Sequence, residues 1–223
     1  DYIDGAIKMG AVAVLTDNRP GEWSVPAVKS VEPRLALATM AAAFYPEQPA
    51  TVAAVTGTNG KSSTVDFLRQ IWANMGRKAA SMGTLGAIGP SGRVDLGHTT
   101  PDPVAIHETL AKLAKEGVTH AAMEASSHGL AQYHLHGVKL AAGAFTNLTQ
   151  DHLDYHADFN DYRQAKMKLF SELLPKGAPA VINADSPELK VFEAAAVKAG
   201  LKPFTVGWRG RDLRIAEALP RGT

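Results

Sequence analysis

Residues 57–63 read Gly-Thr-Asn-Gly-Lys-Ser-Ser, which gathers two glycines, a lysine and three hydroxyls into seven positions. Glycines let successive backbone N–H groups converge on an anion, and a lysine beside them neutralises polyphosphate charge. The hydroxyl of Ser62 follows, where it can ligate Mg²⁺. The apolar run at 51–55 predicts a buried strand, and 62–75 carries the periodicity of an amphipathic helix. Its N-terminus would add a positive dipole end to the loop. Strand, glycine loop, Lys-Ser and helix in this order predict an ATP or GTP site. Gly57, Thr58, Asn59, Gly60, Lys61, Ser62 and Ser63 are its phosphate-binding residues. The loop is a variant, because the strict spacing G-x-x-x-x-G-K-[ST] puts glycine where this chain has Val55. An ordinary glycine turn before a helix is the plainer alternative.

Three further groups could join that chemistry. Glu124 follows the apolar run 119–123, so it falls at a strand's carboxyl end, where a carboxylate suits a phosphate-bound Mg²⁺. A helix-capping or solvent-facing acid is the alternative. The dense polar stretch 145–156 follows the next strand, and His152 within it is the candidate for metal or phosphate contact. A lone histidine is more often structural, and Asn or Asp there also satisfies turn backbones. In the helical stretch 162–170, Tyr162, Lys166 and Phe170 share one face at i, i+4 and i+8. A lysine between aromatics on an inward face is either a stem covering apolar surface or a functional amine of depressed pKa.

The elements that must position these groups alternate. Strands are expected at 51–56, 78–83, 119–125, 140–146 and 178–183, and helices at 62–75, 103–115, 158–173 and 186–199. Gly76 and Gly117 stand at helix C-caps and Ser186 at an N-cap. This alternation predicts an α/β fold, a mostly parallel sheet flanked by helices with ligands at the strands' carboxyl ends. Residues 85–97 read as a hairpin-like excursion and 203–218 as further strand. Ahead of this body, 1–44 forms part of a small α/β piece: a helix at 3–9, strands at 11–16 and 25–31, and a helix opened by Pro33. The linker 45–49, Tyr-Pro-Glu-Gln-Pro, places a domain boundary between 1–48 and 49–223.

Composition narrows the classes. The 223 residues are 45% hydrophobic and 20% charged, which suits a globular chain with a real core. The net charge of +1 argues against a broad nucleic-acid footprint. No cysteine is present, so no disulfide framework or thiolate metal site exists, and a cytoplasmic home is expected. No apolar run reaches membrane-spanning length. The chain starts on Asp1 and stops without a closing signal, and it reads as an excerpt of something longer.

Taken together, 56–64 (TGTNGKSST), 98–103 (HTTPDP), 124–130 (EASSHGL), 146–156 (TNLTQDHLDYH) and 162–170 (YRQAKMKLF) resemble the Mur ligases. The resemblance covers nearly the whole chain. Thr99, Thr100 and Pro101, with 124–130, favour the branch that acts on UDP-MurNAc-L-Ala-D-Glu. The resemblance implies a central ATP-binding domain preceded by the end of a UDP-binding one. It implies an ATP-dependent ligase of peptidoglycan precursor synthesis that adds a diamino acid, meso-diaminopimelate or L-lysine, through an acyl phosphate. It also implies two Mg²⁺ ions. Ser62 and Glu124 would hold one. His152 would help hold the second, with Lys166 converted by CO₂ to a carbamate. Lys61, Glu124, His152 and Lys166 are then the catalytic set, and Thr99, Thr100, Ser126, Gln132 and His134 the substrate contacts. The family commonly has Arg where this chain has His134, so His134 acts weakly or His136 or Lys139 substitutes. The family is usually monomeric. Its C-terminal domain is absent here, so the chain alone is expected not to turn over. Rivals are a folylpolyglutamate or cyanophycin synthetase-like ligase, which Thr99, Thr100, Pro101 and 126–128 count against, and a nucleotide-binding switch, which would gain nothing from an inward lysine.

Overall fold

A computed structural model of the chain describes residues 2–17, 21–149 and 155–218. The chain opens with α1 (Tyr2–Lys8), β1 (Val14–Thr16), β2 (Ala27–Lys29) and α2 (Pro33–Phe44), and β1 and β2 pair in parallel as a separate two-stranded sheet. The larger body follows with β3 (Thr51–Thr56), α3 (Lys61–Asn74), β4 (Ala79–Gly83), β5 (Gly86–Gly89), β6 (Gly92–Val94) and α4 (Pro103–Lys115). It continues through β7 (His120–Glu124), α5 (Ser127–Ala131), β8 (Ala142–Phe145), α6 (Phe159–Lys168), a π-helical turn (Leu169–Leu173), β9 (Pro179–Asn183), α7 (Leu189–Lys198), β10 (Lys202–Gly207) and β11 (Leu213–Arg214).

These strands make one sheet in the order β11-β10-β9-β8-β3-β7-β4-β5-β6. It is parallel except where β5 pairs antiparallel with β4 and with β6, the hairpin expected at 85–97. The core strands read as continuous apolar runs because both faces are covered: every residue of β4 is buried, and Val52, Ala54 and Val55 of β3 are fully buried. On one face Phe145 stacks on Phe192 at 3.7 Å and Phe170 meets Phe192 edge-on at 5.7 Å. Rings buried this deeply stabilise by about 1.5–3 kcal/mol each relative to exposure.

The helices end as their residues dictate. After α3, Gly76 N–H bonds the Ala73 carbonyl and Arg77 N–H that of Trp72; after α4, Gly117 and Val118 do the same to Ala114 and Leu113. Both glycines have positive φ, 74° and 81°, as this cap needs.

Three expectations need correction, and one element was not expected. Ser186 does not cap α7, which begins at Leu189 with Glu188 as its N-cap; Ser186 instead closes the turn ahead, its hydroxyl accepting from Glu188 N–H at 3.3 Å. The helix expected over 158–173 stops at Lys168 and finishes as the π-helical turn. The strand expected over 203–218 is two, β10 and β11, because Asp212 turns back and accepts from both the N–H and the hydroxyl of Thr205. The element not expected is α5.

Candidate functional site

The order β8-β3-β7 places the first strand of the larger body between two that follow it much later. The connections after β3 and β7 therefore diverge to opposite sides, and a crevice opens at their carboxyl ends. The glycine loop leaves β3, Glu124 ends β7, Thr146 and Asn147 follow β8, and Thr84 follows β4, all on this rim.

The loop is braced by residues far away in sequence. Thr58 N–H bonds the Asn147 carbonyl at 2.8 Å, and Asn59 N–H bonds Asn147 Oδ1 at 3.0 Å. Asn147 Nδ2 returns a bond to the Asn59 carbonyl at 3.0 Å, joined by Thr146 Oγ1 at 2.7 Å. Thr58 is buried, and its hydroxyl meets Tyr162 OH at 3.1 Å and accepts from Thr149 N–H at 3.0 Å. Gly57 has φ 148°, and a Cβ there would lie 1.9 Å from Thr146 Oγ1, so this close approach admits only glycine. Gly60, at φ 85°, is the N-cap of α3, and no side chain caps that helix. A helix N-terminus without such a cap suits an anion.

Two lysines converge on this loop. Lys61 Nζ donates to the carbonyls of Gly57 at 3.0 Å and Thr58 at 2.9 Å. Lys166 Nζ donates to the same Gly57 carbonyl at 2.8 Å and lies 4.4 Å from the centre of the Tyr162 ring. Tyr162, Lys166 and Phe170 are all at most 1% exposed, so the face seen in the sequence is an inward one.

Glu124 is 2% exposed, and its Oε1 accepts from Thr84 N–H at 2.8 Å. Beside it, a cleft of about 830 Å³ has two walls. Thr58, Asn59, Gly60, Lys61 and Ser62 line one; Thr99, Thr100, Ser126, Gln132 and His134 line the other, with Thr84 and Glu124 also at the lining. All five expected substrate contacts therefore line the same cleft as the expected phosphate loop. Their hydroxyls are not equally free. Thr100 donates to the Glu124 carbonyl at 3.0 Å and accepts from Ser126 N–H at 2.9 Å, bracing the end of β7. Ser126 is the N-cap of α5, accepting from Gly129 N–H at 3.1 Å. Gln132 Nε2 donates to Tyr155 OH at 2.9 Å, and His134 Nδ1 lies 3.2 Å from the Thr100 carbonyl.

Ser63 is exposed on α3 and does not line the cleft. His136 and Lys139 do not line it either. His136 faces Glu172 at 3.9 Å, and the Lys139 backbone is tied to Gln48. His152 lies outside the described residues. Sequence reasoning passed over Thr84, His98, Asp102 and His128, which also line the cleft. For Thr84 the signal was there, a hydroxyl directly after a strand on the ligand-binding rim. Among the described residues no three His, Cys, Asp or Glu side chains cluster to hold a metal. The available donors are one buried carboxylate and nearby hydroxyls, a hard-oxygen set that suits Mg²⁺ completed by phosphate oxygens and water.

A doubly wound sheet with a glycine loop, Lys-Ser and an acidic strand end on one rim defines a phosphate-binding α/β domain. The Mur ligase middle domain pattern matches residues 55–219, about three quarters of the sequence, and the chain belongs to the Mur ligase family. It is 54% identical over 218 residues to UDP-N-acetylmuramoyl-L-alanyl-D-glutamate–2,6-diaminopimelate ligase of Chelativorans sp. (strain BNC1), covering 96% of this chain and 44% of that protein. A solved structure of a ligase with the same name superposes with TM-score 0.79 at 30% identity, over 92% of this chain and 42% of the other. Mycobacterium tuberculosis folylpolyglutamate synthase complexed with ADP has TM-score 0.64 at 16% identity, over 79% and 47% of the two chains, a likeness of fold. The chain spans less than half the length of these curated relatives and solved structures.

Proposed function

We propose that the chain is the ATP-binding part of a cytoplasmic, monomeric ligase that joins 2,6-diaminopimelate to UDP-MurNAc-L-Ala-D-Glu. The observation that carries this reading is a single cleft lined by the glycine loop, by Glu124 and by Thr99, Gln132 and His134. The names of the relatives at about half identity favour diaminopimelate over L-lysine. In the same reading 1–48 is the end of a UDP-binding domain and 49–223 the ATP-binding one.

The acceptor carboxylate attacks the γ-phosphorus of ATP, ADP leaves, and an acyl phosphate forms. The incoming amine then displaces phosphate, loses a proton and becomes the amide. Such transfers need positioning and charge neutralisation more than covalent help. Lys61 and the N-terminal amides of α3 hold the β- and γ-phosphates and take up the charge that develops there. Thr99 and Gln132 orient the acceptor with hydroxyl and amide groups. Mg²⁺, held by Ser62 and Glu124, supplies further neutralisation when bound. Lys166, with His152, is assigned to a second ion as a carbamate. The burial of Lys166 on an inward face, with Nζ 2.8 Å from the Gly57 carbonyl, supports that assignment.

In a full-length ligase containing this chain, phosphate release should require ATP, UDP-MurNAc-L-Ala-D-Glu and 2,6-diaminopimelate together. Turnover with L-lysine and none with diaminopimelate would overturn the assignment of the amine.

A further inference from the structure

The carboxylate of Glu124 sits in a seat that no motif announced. Gly83 is the last residue of β4, one strand over from β7, and Thr84 follows it. A Cβ built on Gly83 would fall 2.1 Å from Glu124 Oε1 and 2.5 Å from its Cδ. The backbone thus approaches the carboxylate closer than any side chain at 83 allows. Thr84 N–H then donates to Oε1 at 2.8 Å, and Thr84 Oγ1 stands 3.4 Å from Oε2 and 3.0 Å from Thr99 Oγ1. One threonine therefore touches both oxygens of the buried acid and one hydroxyl of the opposite, acceptor-side wall.

We infer that Gly83 and Thr84 are positioning residues for the Mg²⁺-binding carboxylate, and that the Thr84 hydroxyl couples it to the acceptor wall through Thr99. This rests on the reading of Glu124 as a Mg²⁺ ligand. The backbone N–H occupies Oε1 and fixes the rotation of the carboxylate, so that Oε2 is presented to the ion. Groups behind a ligand typically set metal affinity by about 10–100-fold, although they never touch the metal. The hydroxyl can donate only one hydrogen. When it donates to Oε2, it is free to accept from Thr99. When Thr99 accepts instead, Oε2 loses that donor. An acceptor substrate that bonds Thr99 therefore biases how Glu124 meets the ion, so Mg²⁺ and acceptor should bind with mutual dependence.

The test uses a full-length ligase containing this chain: Mg²⁺ affinity is measured by calorimetry with a non-hydrolysable ATP analogue, and the Mg²⁺ dependence of the rate at fixed ATP, each at low and at saturating acceptor; the two should move together. Thr84→Val removes the hydroxyl but keeps the shape and the backbone N–H. It should raise the Mg²⁺ concentration for half-maximal rate about tenfold and abolish the effect of acceptor on that concentration. Thr84→Ser should restore both. Gly83→Ala should raise the Mg²⁺ requirement by at least as much, and higher Mg²⁺ should recover its rate. If Gly83→Ala does not fold, Thr84→Val and Thr84→Ser still decide. A Thr84→Val enzyme with an unchanged Mg²⁺ requirement, beside a Glu124→Gln enzyme that has lost Mg²⁺ activation, would overturn this inference alone. An unchanged Mg²⁺ requirement in Glu124→Gln would overturn the metal reading beneath it.

Discussion

Lys61 and Lys166 meet at the Gly57 carbonyl, yet their expected roles differ, and substitution separates them. Lys61→Ala removes a charged donor to the phosphates, an interaction of about 1.5–3 kcal/mol. ADP affinity measured by calorimetry should fall roughly 10–150-fold while the fold survives, because Lys61 is only partly buried. Lys166 is 1% exposed beneath Tyr162, and Lys166→Ala leaves a hole in the core as well as removing the proposed carbamate. In a full-length ligase its turnover should drop at least a hundredfold, and a short carboxylic acid that fills the hole should recover part of the rate. Normal turnover without the acid would refute the carbamate. At this scale the sequence disclosed types better than contacts. The inward face of Tyr162, Lys166 and Phe170 was visible as an i, i+4, i+8 spacing. The seat of Glu124 was not, because residues 83, 84 and 124 meet only through the pairing of β4 with β7. That Thr100 and Ser126 hydroxyls would serve backbone groups was equally hidden.

At the scale of elements, α2 and α4 meet where the small leading piece packs against the larger body, and His107 of α4 is buried there with Nε2 3.0 Å from the His136 carbonyl. Burial lowers the pKa of His107, and the His136 carbonyl opposes this only in part. Burial likewise lowers that of His136, against the opposing pull of Glu172. A histidine whose folded pKa is depressed binds fewer protons folded than unfolded, so stability rises with pH across the gap. The contribution is complete above the unfolded value, near 6.5, and is lost as pH falls through the lower folded value. The melting temperature should drop between pH 7 and pH 5, by roughly 2–4 °C for each 1 kcal/mol lost. His107→Gln keeps a donor for the carbonyl and should show a shallower drop; an identical pH slope would contradict the assignment. Long periodic segments such as α3, α4 and β3 were legible because apolar spacing and caps agreed. The five-residue α5 was not, since it is a single turn held by Ser126 and packed on Thr100. A period of 3.6 cannot show in so short a piece. The π-helical turn after Lys168 was hidden for a similar reason, because its residues keep the helical pattern and only the hydrogen bonding changes.

Across the whole molecule, one rim of a nine-stranded sheet collects a phosphate loop, a buried acid and a polar second wall. The alternation of strands and helices made the class of fold and the location of the rim readable before any contact was known. Strand order was not readable, since nothing local tells β7 to pair between β3 and β4. That order is what turns separate motifs into the two sides of one cleft. No helix among the described residues is long and apolar enough to cross a membrane. The central claim is that one chain supplies both a nucleotide wall and an acceptor wall. Calorimetric titration of UDP-MurNAc-L-Ala-D-Glu and, separately, of ADP with Mg²⁺ tests it most directly. Both should bind; Lys61→Ala should weaken the nucleotide far more than the acceptor, and Thr99→Val the acceptor far more than the nucleotide. Nucleotide binding with no acceptor binding, or acceptor binding indifferent to Thr99→Val, would contradict it.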